Sequence, residues 1–86
     1  MTEDEYNLIK LIENKTHDVM DKMSMIEEIN DPKELSQLHS EIEKILEKLV
    51  ITLKNGSIKS TDAVMLLEKM KMGFIETLVY IDQSFS

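Results

Sequence analysis

Between Leu35 and Leu53 the chain reads LSQLHSEIEKILEKLVITL. Its apolar residues fall at Leu35, Leu38, Ile42, Ile45, Leu46, Leu49 and Leu53, a spacing that lines one side of an α-helix. Glu41, Glu43, Lys44, Glu47 and Lys48 occupy the flanks and the opposite side. A helix with one apolar stripe holds its shape only when that stripe is covered. The segments on both sides carry matching stripes, and the chain length limits the whole to one small core. The expected fold is therefore all-α: an antiparallel three-helix bundle in one domain, a helical hairpin closed by a third helix and self-associating.

The boundaries of the first and last helices follow from their stripes. Ile9, Ile12, Thr16, Val19, Met23 and Ile26 step as a heptad seam, with Leu8 and Met20 beside it. A first helix is predicted over 3–29, about 40 Å long. Thr2 stands as its N-cap with Glu5 at N3, and Glu3, Asp4 and Glu5 suit the positive end of the dipole. Asn30-Asp31-Pro32 breaks the chain, because the residue before proline leaves the α region and proline fits the start of a new helix. Asp31 then caps a second helix over 32–54, with Glu34 as its capping-box partner. Asn55-Gly56 stops that helix, and Ile58 in the following loop is a candidate for tucking inward.

A third helix is predicted over 61–83, capped by Ser60 or Thr61. Its core stripe is Ala63, Leu67, Met70, Phe74, Leu78 and Ile81, with Leu66 beside it. Gly73 inside this helix costs about 1 kcal/mol against alanine, which a close helix approach would explain. The tail from Gln83 to Ser86 is expected to fray.

A three-helix bundle needs one stripe per helix, and this chain carries more. At 100° per residue, Met65, Met72 and Val79 fall together on the third helix with Ile75 at their edge, far from the core stripe. On the first helix Leu11, Met25 and Ile29 form a second set, interrupted by Asp18 and Lys22, and on the second Ile51 points outward. A second stripe at seven-residue spacing implies an interface. Met25, Met65 and Met72 lie on these outer sets, and methionine adapts to helices and flexible peptides. The outer sets admit three covers: a broader core, a second copy in a homodimer, or a different protein.

Charge narrows the partner classes. The formal net charge is -7 and arginine is absent. Both features count against nucleic acid and against an anionic membrane surface, which recruit Arg and Lys. Residues 1–30 hold eight acids against three lysines, so the first helix is the acidic one. It is read as a solvated face or as one that steers a basic partner, with mimicry of a nucleic acid as a weaker third reading. Without cysteine the chain has no disulfide, thiolate metal site or cysteine nucleophile. No apolar run spans a bilayer, and the acidic start differs from the basic start of a signal peptide, so a cytoplasmic protein is expected. No glycine-rich phosphate loop is present, no cofactor motif appears, and no metal site is expected.

His39 follows the seam residue Leu38 and reads as a boundary residue of no special role. His17 falls at an outward heptad position, with Glu13 and Asp21 one turn away on either side. The string from His17 to Ile26, HDVMDKMSMI, has an exposed His followed by an acid, with apolar residues two, six and nine positions on at Val19, Met23 and Ile26. It resembles the phosphoacceptor helix of histidine kinases and of sporulation phosphotransferases. That resemblance implies a helical hairpin dimerising into a four-helix bundle, His17 as the phosphorylated residue and Asp18 as the acid assisting transfer. The proline usual five residues after the kinase histidine is Lys22 here, the arginine often near the acceptor is absent, and these 86 residues leave no room for an ATP-binding domain. The resemblance therefore extends to a phosphorelay intermediate and not to a kinase.

The leading expectation is a non-catalytic interaction protein: an adaptor, inhibitor or chaperone-like regulator. It would grip another protein through Met65, Met72, Ile75 and Val79, with Leu11, Met25 and Ile29 as a second set. Histidine phosphotransfer through His17 is the alternative.

Overall fold

The computed structural model describes residues 1–85, which form three α-helices and one short 3₁₀ turn and contain no strand. Helix α1 runs Glu3–Ser24, the 3₁₀ turn covers Ile26–Glu28, α2 runs Pro32–Lys54 and α3 runs Thr61–Ser84. The ends of the helices fix their directions. Lys22 near the end of α1 reaches Glu41 in the first half of α2 at 3.9 Å. His39 near the start of α2 meets Asp82 near the end of α3 at 2.8 Å. The amino group of Met1 meets Asp62 at the start of α3 at 3.2 Å. The topology is thus up-down-up, and α2 packs more extensively on α3 than on α1. The molecule measures 41 × 20 × 16 Å. No helix among the described residues is long and apolar enough to cross a membrane.

The core consists of the three predicted stripes. Ile9 and Val19 of α1, Leu35, Leu38, Ile42 and Leu49 of α2, and Ala63, Leu67, Phe74 and Ile81 of α3 are buried, with Ile58 from the loop added to them. Thr16 can occupy the α1 seam because its hydroxyl donates to the Ile12 carbonyl at 2.8 Å, which satisfies the buried polar atom.

The first helix is shorter than its predicted range of 3–29. It stops at Ser24, where the Ser24 hydroxyl donates to the Asp21 carbonyl at 2.6 Å and competes with the helical ladder. The Met25 N–H then bonds back to the Lys22 carbonyl, tightening the end of the helix. The 3₁₀ turn that follows brings Ile26 and Ile29 against the core as half-buried residues, a gain that a straight helix could not supply at Ile29. Ile29 therefore does not belong to the outer set on α1.

Other differences are smaller. Helix α3 continues to Ser84, and Phe85 caps it by donating to the Asp82 and Gln83 carbonyls, so the fraying expected of 83–85 is not seen. Ser86 lies outside the described residues. Leu66 is exposed rather than set beside the core. Asp31 caps α2 by accepting from the Lys33 N–H at 3.0 Å, with no return bond from Glu34 among the described residues. Gly56 has a φ of 76°, the left-handed conformation predicted for it, and the Asn55 side chain accepts from the Ser57 N–H. No atom lies within 4 Å of a Cβ built on Gly73, so no close helix approach explains that residue.

Candidate functional site

The outer apolar residues do not form one surface. Met65 and Met72 are 65% and 57% exposed and lie together on α3 with Val64 and Leu66. Val79, 49% exposed, falls two turns beyond Met72 on the same line of the helix. Ile75 instead edges a groove between α2 and α3, whose walls are Leu46, Val50, Ile51 and Leu78 and whose acids are Glu43 and Glu47. Leu11 lies in a different cleft, between α1 and α2. Met25 is exposed at the C-terminal end of α1, apart from both, and Ile29 is half-buried against the core.

His17 is as exposed as its heptad position predicts, with 71% of its side chain accessible. Its Nε2 lies 3.4 Å from Asp21, whereas Glu13 turns to Lys10 at 3.6 Å. Asp18 is exposed beside it. Nothing among the described residues encloses the ring.

His39 is the residue that sequence reasoning passed over. Its ring is mostly covered, and it bridges two helices: Nδ1 meets Glu43 at 2.6 Å and Nε2 meets Asp82 at 2.8 Å. One ring N–H donates to a carboxylate in either neutral tautomer, and both do when the ring is protonated. The two acids approach opposite ring nitrogens instead of a common point. Among the described residues no group of three or more His, Asp or Glu side chains could hold a metal ion. The Glu43 contact was readable as an i, i+4 pair on one helix. Asp82 comes from 43 residues away and left no local signal.

Comparison with known proteins finds no matching family model, no matching curated protein and no matching solved structure.

A second unforeseen cluster surrounds Glu5. The expected capping box forms, with the Glu5 N–H donating to the Thr2 hydroxyl at 3.2 Å and the Thr2 N–H to the Glu5 carboxylate at 2.9 Å. The same carboxylate also accepts the N–H groups of Lys59 and Ser60, at 2.8 and 2.9 Å, and the Ser60 hydroxyl. Ser60 is the N-cap residue of α3, but its hydroxyl serves Glu5 and makes no capping bond to its own helix. The carboxyl is consequently held well below the usual carboxylate range. The Ser60 hydroxyl contributes most, followed by the backbone N–H groups of Ser60, Thr2 and Lys59. Although only 5% of Glu5 is accessible, the opposing effect of burial is the smallest, because the group sits under the rim of the molecule beside Thr2, Ser57 and Lys59. Every partner of Glu5 is a donor within the chain, so the cluster is a structural tie.

Proposed function

We propose that this protein is a non-catalytic interaction module that binds another protein through the outer face of α3. The observation that carries the reading is the line Met65, Met72 and Val79, apolar side chains standing 65%, 57% and 49% exposed at seven-residue spacing. Isolated exposed apolar residues are ordinary, whereas a set aligned along one helix favours a helix-sized partner. Ile75 extends the set towards the α2–α3 groove, where Glu43 and Glu47 suit a basic partner, and the acids of α1 add to that field. A second copy of the chain is the other candidate for covering this face.

The test changes Met65 and Met72 to Glu together. Light scattering over a range of concentrations reads self-association, and capture of the partner reads heterologous binding. The reading expects one of the two to be lost while helicity is unchanged. If both survive, the α3 face is not the interface.

The exposed ring of His17 favours a second reading, a phosphorelay intermediate with His17 as acceptor and Asp18 as assisting acid. It expects acid-labile phosphate on the protein after mixing with a phosphorylated response regulator, and no label on His17→Gln. An unlabelled wild-type protein excludes it.

A further inference from the structure

Helix α2 separates two grooves of opposite charge. The α2–α3 groove contains Glu43 and Glu47 and no lysine. The α1–α2 cleft, about 370 Å³ and open to solvent, contains Lys15 and Lys48 and no acid. On a chain with 17 acids and 10 lysines, an acid-free lining with two lysines runs against the overall field. The two lysines stand on opposite helices, one on each side of the cleft, and neither forms an ion pair among the described residues. Between them lie Leu11, Ile12, Ile45 and Ile51, of which Leu11 and Ile51 are about half exposed. Asp18, one turn from Lys15, and Glu47, next to Lys48, do not line the cleft.

We propose that the α1–α2 cleft seats an amphipathic helix that carries acidic side chains on both sides of its apolar stripe. Such a helix would complete a fourth position around α1 and α2, cover Leu11 and Ile51, and place one row of acids against Lys15 and the other against Lys48. The cleft is a trough and not an enclosed pocket, which fits a helix better than a small ligand that must be largely surrounded. Charge on both flanks also sets a preference, since a helix flanked by lysines would meet like charge on each side. The cleft meets the α2–α3 groove at Ile51 but contains none of Met65, Met72, Ile75 and Val79, so either site can fail without the other.

The probe is a fluorescein-labelled synthetic helix with Leu at i, i+3, i+4 and i+7 and Glu at the flanking positions, titrated into the full chain and followed by anisotropy. The wild-type protein should bind it, more weakly as salt rises, and should not bind the same peptide with Lys at the flanks. Lys15→Glu with Lys48→Glu should weaken the Glu peptide by roughly ten-fold or more and admit the Lys peptide. Lys33→Glu, an exposed lysine outside the cleft, should leave the binding unchanged, and amide shifts in the ¹⁵N-labelled protein should centre on Leu11 and Ile12. The proposal is overturned if the two peptides bind alike, or if the charge reversal changes nothing. It is equally overturned if the shifts centre on α3, or if laurate or a second copy of the chain fills the cleft and the Glu peptide cannot displace it.

Discussion

Glu5 illustrates how one side chain can serve three purposes. It completes the capping box of α1, it accepts the N–H groups of Lys59 and Ser60 just before α3, and it joins the two helix starts. Its effect on stability has a definite sign. The folded-state pKa lies below the ordinary value of 4.5, so its contribution is fully present above that pH and is lost as pH falls towards the lowered folded value. Thermal melts taken from neutral to acid should therefore show Glu5→Gln to be less stable than the wild type at neutral pH, with the gap closing below about 4.5. A gap that stays constant with pH would mean the carboxylate is not what the N–H groups recognise. Half of this arrangement was legible: Thr2 and Glu5 stand at capping-box spacing. The other half was not, because Ser60 looks like an ordinary N-cap until a distant carboxylate takes its hydroxyl. His39 has the same history, with one partner four residues away and the other on α3.

At the scale of helices, periodicity and chain breakers located all three α-helices but not the 3₁₀ turn at Ile26–Glu28. Pro32 and Gly56 act through backbone geometry alone, and α2 accordingly begins and ends where the sequence places it. The end of α1 carries no such breaker. Its seam continues to Ile26 in perfect register, and the decision to leave the helix at Ser24 belongs to the packing of Ile26 and Ile29 on the core. Gly73 is the complementary case, a residue whose cost is visible in the sequence and whose reason is absent from the structure. It is helical, has no positive φ, and leaves open space where a Cβ would stand. Gly73→Ala should accordingly raise stability by about 1 kcal/mol, read from the midpoint of urea unfolding at unchanged slope. A destabilised variant would mean that a second copy of the chain packs on this stretch of α3, between Met72 and Phe74.

For the whole molecule, the stripes were sufficient to predict the bundle, because α-helices of this length can bury such stripes only against one another. The surplus stripes were equally visible, but their division among separate surfaces was not. Whether Leu11 and Met65 share a face depends on how the helices rotate about their axes, and the core settles that rotation. The bundle is also unevenly knit. Helices α2 and α3 are joined by a six-residue loop, 55–60, and share the larger contact, whereas the Glu5 tie joins residues 54 and 55 positions apart. Closing so long a loop carries the greater entropic cost, so the α2–α3 hairpin is favoured to form first, with the start of α1 docking after the rate-limiting step. A defect at that docking point would then shorten the lifetime of the folded state and barely alter how quickly the chain reaches it. In stopped-flow measurements Glu5→Gln should speed unfolding and leave the refolding rate nearly unchanged. The carboxylate that ties the two helix starts would act as a latch on an already assembled molecule, one that governs how often α1 lets go.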